Sequence, residues 1–438
     1  MKERLRILTQ QSLKRSITWV QGTALTIGAV LGCGILILPS ITANSAGPAS
    51  ILSWVIMSIL AFPIVATLAR LAKMIPSAGG ITAYVQMAFN ANTSAILGWI
   101  MLGSIPIGVP IIALTGAHYI GYVFPISNLS VIGIAALILI TSLLLHIKGI
   151  ELSSKVSVFV ICIISLLIVV AVIVSIPYVK LSSFTPFVPN GWSSVGASSV
   201  IIFFSFVGWE MITPLAEEFK RPAKDISISL FLGAICISIM YIAISFVTIG
   251  THSYGDKNQI ASLSILISKG LGPIGTYITT ILAIFISFSA VHANIAGFSR
   301  MIYAQAREGH FPSFFAKLHS QFQTPTRVLL VLGGIFSCIL IFYGMARPNL
   351  EMLLKGPSVI FITSYIFTML AALKLLKVRD IGWWMAFLSL IICIIVYSFS
   401  GWAIFYPVIL SVIGWIYIVM NKKYSTIANH SINTSNEN

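Results

Sequence analysis

The sequence predicts an all-α polytopic membrane protein with about twelve transmembrane helices. Three observations carry that expectation. First, 58% of the 438 residues are hydrophobic and 8% are charged, with a mean hydropathy of +0.99. That leaves too little polar surface for a water-soluble domain. Second, the apolar residues fall in repeated runs close to the roughly 20 residues a helix needs to cross a bilayer. Third, Lys and Arg gather in alternate loops, a pattern that an even number of crossings satisfies.

The first run, 18–41, follows a basic tail (Lys2, Arg4, Arg6, Lys14, Arg15). Many spans come after it, so it reads as an uncleaved first helix and not as a signal peptide. The second, 49–70, ends at Arg70 and Lys73. The third and fourth, 94–122 and 128–146, precede the loop that carries Lys148 and Lys155. The fifth occupies 156–178. The sixth, 194–215, runs into Lys220, Arg221 and Lys224. The seventh and eighth, 227–249 and 272–298, lead to Arg300 and Arg307. The ninth and tenth, 327–345 and 354–373, end at Lys374, Lys377 and Arg379. The last two, 382–399 and 402–420, close at Lys422 and Lys423. The polar stretch 424–438 is expected to be a disordered tail.

On this reading 21 of the 26 basic residues lie on one side, which places both termini in the cytoplasm. The same bias explains the net charge of +15, so no nucleic-acid partner is implied. The five cysteines (Cys33, Cys162, Cys236, Cys338, Cys393) all sit in apolar runs without CxxC or metal-ligand spacing. Residues 1–438 are expected to form one integral membrane domain, with the lipid bilayer as its main surroundings.

Residues 27–39, IGAVLGCGILILP, place Gly28, Gly32 and Gly34 within one apolar span. Gly28-x-x-x-Gly32 is a helix-contact spacing. The alternative is an unwound segment, which a membrane tolerates only where it is buried in protein or lines a polar cavity. Transporters built from inverted repeats place such breaks at matching positions. The sixth span supplies the match, because FFSFVGWE (203–210) carries Ser205, Gly208 and Glu210 inside an apolar run. The pairing favours unwound segments in spans one and six. Glu210 is the only acid inside any span, and an intramembrane carboxylate is a functional candidate by default. His118, His146 and His292 have no metal spacing and are expected to be packing residues.

These motifs resemble the amino acid–polyamine–organocation (APC) superfamily of transporters. The similarity rests on IGAVLGCGILILP, PSAGGITAYVQMAF (76–89), FSFVGWEMITPLAEEFKRPAKDI (204–226) and RMIYAQAREGHFPSFF (300–315). Within the superfamily the stretch from LAFPIVATLARLAKMIPSAGG to SIPIGVP (104–110) is most similar to bacterial exporters of methionine and branched-chain amino acids. The resemblance implies a LeuT-like 5+5 inverted repeat with discontinuous helices 1 and 6. Repeat one would be about 18–178, repeat two about 194–373, and helices 11–12, about 382–420, are appended.

The resemblance also implies a site. The substrate carboxylate would meet backbone N–H groups of Gly32, Cys33 and Gly34, which agrees with the preference of a half-helix N-terminus for anions. The amino group would meet carbonyls of Leu31, Phe204, Ser205 and Val207. Ile105, Gly108, Val109, Phe204, Phe206 and Asn294 would line the side-chain pocket. The span-three and span-six positions are apolar or small, so a cationic side chain would lack a partner, and a small neutral amino acid is expected. Glu210 is the candidate proton-coupling or gating acid. A lysine that some members carry in span five is missing; the corresponding position is near Ile164. Sodium ligation by Ser287 and Ser289 stays open. The cytoplasmic pairs available to Arg70, Lys73 and Arg300 (Glu217, Glu218 or Asp225) are expected to be a solvated rim.

The expected function is secondary active transport of neutral amino acids by alternating access, as an exporter of methionine, leucine, isoleucine and valine in antiport with protons. A proton-coupled importer is the alternative, and a non-transporting amino-acid sensor is the reading from a different class. No enzyme is expected, because one carboxylate without a paired acid or a His–Ser–Asp grouping supplies no catalytic set. No cofactor is implied. The expected setting is the bacterial plasma membrane, as a monomer or weak homodimer.

Overall fold

The computed structural model describes residues 13–32, 34–255, 262–346 and 350–435. The described residues are helical, and the β-type pairing among them is a single bridge between Ile17 and Phe219. Ten helical stretches are long and apolar enough to cross a membrane. Two shorter apolar helices, Trp19–Leu31 and Trp192–Phe203, belong to spans one and six. Those are the two spans for which the glycine pattern predicts interruption.

Span one is α1 (Trp19–Leu31) and α2 (Gly34–Ala46). Thr18 and Gln21 form a capping box at its start, which satisfies free amides of the first turn. Span two is α3 (Ser50–Met74). A short helix, α4 (Ile81–Ala88), follows PSAGG. Span three is split into α5 (Ala91–Leu102) and α6 (Ile105–Val123), where one helix was expected over 94–122. Gly103 caps the first piece and Pro106 falls in the first turn of the second. Proline lacks the N–H that would continue the ladder but fits a helix start. Spans four and five are α7 (Asn128–Ile147) and α8 (Ile150–Ser175).

Span six begins as α9 (Trp192–Phe203), passes through a 3-10 turn at Phe204–Phe206, and ends as a 3-10 run at Trp209–Glu218. Spans seven and eight are α10 (Pro222–Gly250) and α12 (Pro273–Arg307). Between them lies α11 (Ser262–Leu271), an amphipathic helix too short to register as a hydropathy peak. Spans nine to twelve are α13 (Thr326–Ala346), α14 (Leu350–Leu375), α15 (Ile381–Ser398) and α16 (Phe405–Ser435). The last helix runs to Ser435, into the segment whose composition predicts disorder. Extending an existing helix is far easier than nucleating one.

The core forms around α10, which packs on α1, α2 and α3, and α12, which packs on α1, α6 and the end of span six. Trp54, Trp209, Tyr241, Tyr365 and Arg300 are fully buried there. The outer faces of α7, α8, α15 and α16 expose Leu137, Phe159, Ile394 and Trp415, the residue types that face acyl chains.

Candidate functional site

Each break has a residue-level cause. In span one the helix stops at Leu31, and Gly32 takes φ +43°, a conformation that glycine adopts without Cβ strain. The next helix starts at Gly34, one residue earlier than a break over Gly32–Gly34 implies. Cys33 lies outside the described residues. In span six Val207 is extended, and Gly208 takes φ +124° before the 3-10 run.

The two broken segments cross at close quarters. A Cβ on Gly34 would overlap the Ser205 hydroxyl, and one on Gly208 would stand 2.7 Å from the Ala29 carbonyl oxygen. Gly208 therefore lets backbone meet backbone, and Gly34 leaves room for the Ser205 side chain. Gly28 serves the other purpose that its spacing suggests, because a Cβ there would overlap Ser289 of α12. Contact and break coexist in one glycine cluster.

Tyr241 of α10 joins the two segments. Its hydroxyl stands 2.8 Å from the Leu31 carbonyl, 3.1 Å from that of Ser205 and 3.3 Å from that of Val30. These are the carbonyls freed by the breaks, and two of them are the ones the resemblance assigns to a substrate amino group. Trp54 and Phe206 pack on the Tyr241 ring, with centroids 4.9 and 5.2 Å away. Gly32, Gly34 and Val207 remain partly exposed in this otherwise buried region.

Glu210 sits on the far side of Gly208 and is buried. Its Oε2 accepts from the Gly208 N–H at 3.2 Å and from the Tyr365 hydroxyl of α14. Its Oε1 is buried without a hydrogen-bond partner among the described residues. A single carboxylate thus ties the span-six break to span ten and keeps one oxygen unsatisfied.

The remaining predicted residues fall into two groups. Ile105 and Val109 are buried in the hydrophobic core, and Phe204 opens the 3-10 turn of span six. Gly108 faces Pro357 of α14, and Asn294 donates to Ala290 of its own helix at 2.8 Å. The contacts of Gly108 and Asn294 are therefore with span ten and with α12 itself, so membership of the same pocket rests on register. Ser287 packs against Gly116 and Ser289 against Gly28, so the two hydroxyls face different neighbours. Among the described residues no His, Cys, Asp and Glu group could hold a metal ion. His118 bonds Tyr343 at 2.7 Å, while His146 and His292 stack at 4.1 Å and share Ser153.

The expectation of a solvated charged rim requires a correction. Arg300 and Glu218 are not solvated. They are 0% and 1% exposed and meet through two bonds of 3.1 and 3.2 Å. Arg307 forks onto Glu217 at 3.0 and 2.6 Å, and Glu217 also accepts the Ala78 amide at 3.0 Å. Burial pushes the Glu217 carboxyl up, but the Arg307 fork and the Ala78 amide outweigh it and hold it below the usual value. The Glu218 carbonyl accepts from the backbone amides of Ser16 and Ile17. Gly80, at φ +56°, lets the PSAGG loop pack on Thr213 and Pro214. The N-terminal segment, the PSAGG loop and α12 thus converge on the end of span six. Arg70 instead pairs with Asp380, and Asp225 with Arg221.

Hydropathy reading passes over Tyr241 and Tyr365 because a tyrosine in an apolar span carries no local mark. Only the partners identify them.

A protein with two crossed, glycine-broken spans inside a polytopic helical bundle belongs to the class of membrane transporters. The family model described as amino acid permease matches residues 17–431, and the chain belongs to that family within the APC superfamily. It is similar to an uncharacterized amino acid permease, YecA, of Bacillus subtilis (strain 168). They are 60% identical over 406 residues, covering 93% of this chain and 96% of that one. It is similar at 28% over 421 residues to the L-methionine/branched-chain amino acid exporter YjeH of Escherichia coli (strain K12), covering 94% and 97%. The branched-chain amino acid permease BcaP of Bacillus subtilis is 24% identical over 339 residues, 72% of each chain.

Proposed function

We propose that this permease is a secondary active transporter that exports methionine, leucine, isoleucine and valine in exchange for protons. The observation that carries the reading is the crossing of the two broken spans. It leaves Gly32 and Gly34 partly exposed beside a half-helix N-terminus, where freed amides favour a carboxylate. The neighbouring surface is apolar, which suits aliphatic and thioether side chains. Export is supported by similarity over 94% of the chain to a protein named as an exporter of these amino acids. The importer reading draws on BcaP, a protein named as a branched-chain amino acid permease.

In this reading spans 1–5 and 6–10 are inverted repeats, and both termini are cytoplasmic. The Tyr241 hydroxyl holds the freed carbonyls while the site is empty, and a substrate ammonium competes for them. Glu210 takes up a proton and loosens its hold on Gly208. The buried Arg300–Glu218 pair locks the cytoplasmic side. The protein works in the bacterial plasma membrane as a monomer or weak homodimer.

The test is flux of labelled leucine and methionine in proteoliposomes, with a pH gradient imposed in either sense. Movement opposite to protons, lost in Gly34→Val while gel filtration stays monodisperse, is the expected result. Substrate moving with protons would replace export by import. Binding without flux under proton or sodium gradients would replace transport by sensing.

A further inference from the structure

A groove of about 600 Å³ opens on the outer surface between α3, α10 and α15, away from the broken spans. Its walls are apolar and include Ile59, Phe62, Ala66, Phe231 and Leu388. Ile59, Phe231 and Leu388 are exposed although the bundle around them is well packed. At one end the lining changes abruptly to Arg70, Lys73 and Ser227.

Three features define what this shape accepts. From Ile59 to Arg70 the apolar wall follows α3 for about 16 Å, close to the ~15 Å of hydrocarbon in one leaflet. The polar end carries two cations and one carboxylate, Asp380, which pairs with Arg70 at 2.9 Å. Among the described residues Lys73 has no ion pair, so the mouth keeps a net positive charge. Finally, Gly382 in the first turn of α15 leaves room for the Arg70 guanidinium, because a Cβ there would overlap it. The Arg70 guanidinium is thereby held at the end of the groove.

We propose that this groove is a binding site for an anionic phospholipid. One acyl chain lies along α3 between spans seven and eleven, and the phosphate meets Lys73 and Arg70. A zwitterionic lipid fits the apolar wall equally well but gains less at the mouth. The proposed orientation decides only which leaflet supplies the lipid. That leaflet is then the cytoplasmic one, whose anionic headgroups attract basic residues near the surface.

The experiment is native mass spectrometry of the purified full-length protein with phosphatidylglycerol or phosphatidylcholine of identical chains. We expect preferential phosphatidylglycerol adducts. Lys73→Gln should weaken them about fivefold, the factor that one basic residue supplies near an anionic surface. Ala66→Trp should remove them by filling the groove without changing charge. Lys155→Gln, on the exposed rim beside Glu151, should change nothing. Melting temperature and gel filtration identify any variant that fails to fold, and Lys73→Gln at an exposed helix end keeps the test open if Ala66→Trp does.

Equal retention of both lipids, or equal loss in Lys73→Gln and Lys155→Gln, would overturn the proposal. So would a dimer that Ala66→Trp dissociates, since a second copy would then fill the groove. Adduct formation needs no transport, so failure here leaves the transport reading intact, and failed flux leaves this site standing.

Discussion

Tyr241 and Glu210 are the two side chains that hold the crossing together, and each makes a separate prediction. Removing the Tyr241 hydroxyl leaves the Leu31 and Ser205 carbonyls without their shared donor. An unsatisfied buried polar group costs about 1–3 kcal/mol. Tyr241→Phe should therefore lower the melting temperature in detergent. If the carbonyls are also the ammonium site, leucine should stabilise this variant by a larger margin than it stabilises the unaltered protein. Equal ligand-induced shifts would confine Tyr241 to structure. Glu210→Gln keeps the shape but cannot lose or gain a proton at that site. Flux should persist with a flattened pH dependence, and an unchanged pH profile would assign Glu210 to holding Gly208 in place.

Elements, not single residues, meet at the end of span six. Spans six and eight are joined there by Arg300–Glu218, with neither side chain reaching water. Removing one member of such a pair strands a buried charge at about 3–5 kcal/mol, whereas replacing both by apolar groups is often neutral. Glu218→Leu alone should sharply lower thermal stability, and Glu218→Leu with Arg300→Met should recover much of it. No recovery in the double variant would mean that the pair does more than neutralise itself. The neighbouring Glu217 is held below its usual value, so its contribution is present above about pH 4.5, the ordinary carboxylate value, and is lost as pH falls through the depressed one. The stability advantage over Glu217→Gln should accordingly shrink as pH drops below 4.5. A gap that stays constant would show that the Arg307 fork contributes nothing.

For the whole molecule, the prediction concerns how it is threaded. In a cysteine-free background, Lys155→Cys should resist an impermeant thiol reagent in intact cells and Lys269→Cys should react. The opposite pattern would invert the topology. The spans themselves were legible because lipid allows only helices, and helices of fixed rise need runs of fixed length. The paired breaks were legible too, because glycine and polar residues stand out inside apolar runs. The split of span three was missed, since Gly103 and Pro106 barely lower the hydropathy of 94–122. The site was legible only in part. Gly34 meets Ser205 and Gly208 meets Ala29 where the two breaks cross, while Asn294 turns back onto its own helix.

Sequence by itself determined the class, the crossings and the two weak points, because each depends on composition within about 20 neighbouring residues. Tertiary structure alone decided the partners. Tyr241 reaches Leu31 across 210 positions, Tyr365 reaches Glu210 across 155, and Arg300 reaches Glu218 across 82. In a bilayer core without water, a freed backbone group or a buried charge must find its partner within the protein. Which distant helix supplies that partner is settled by packing.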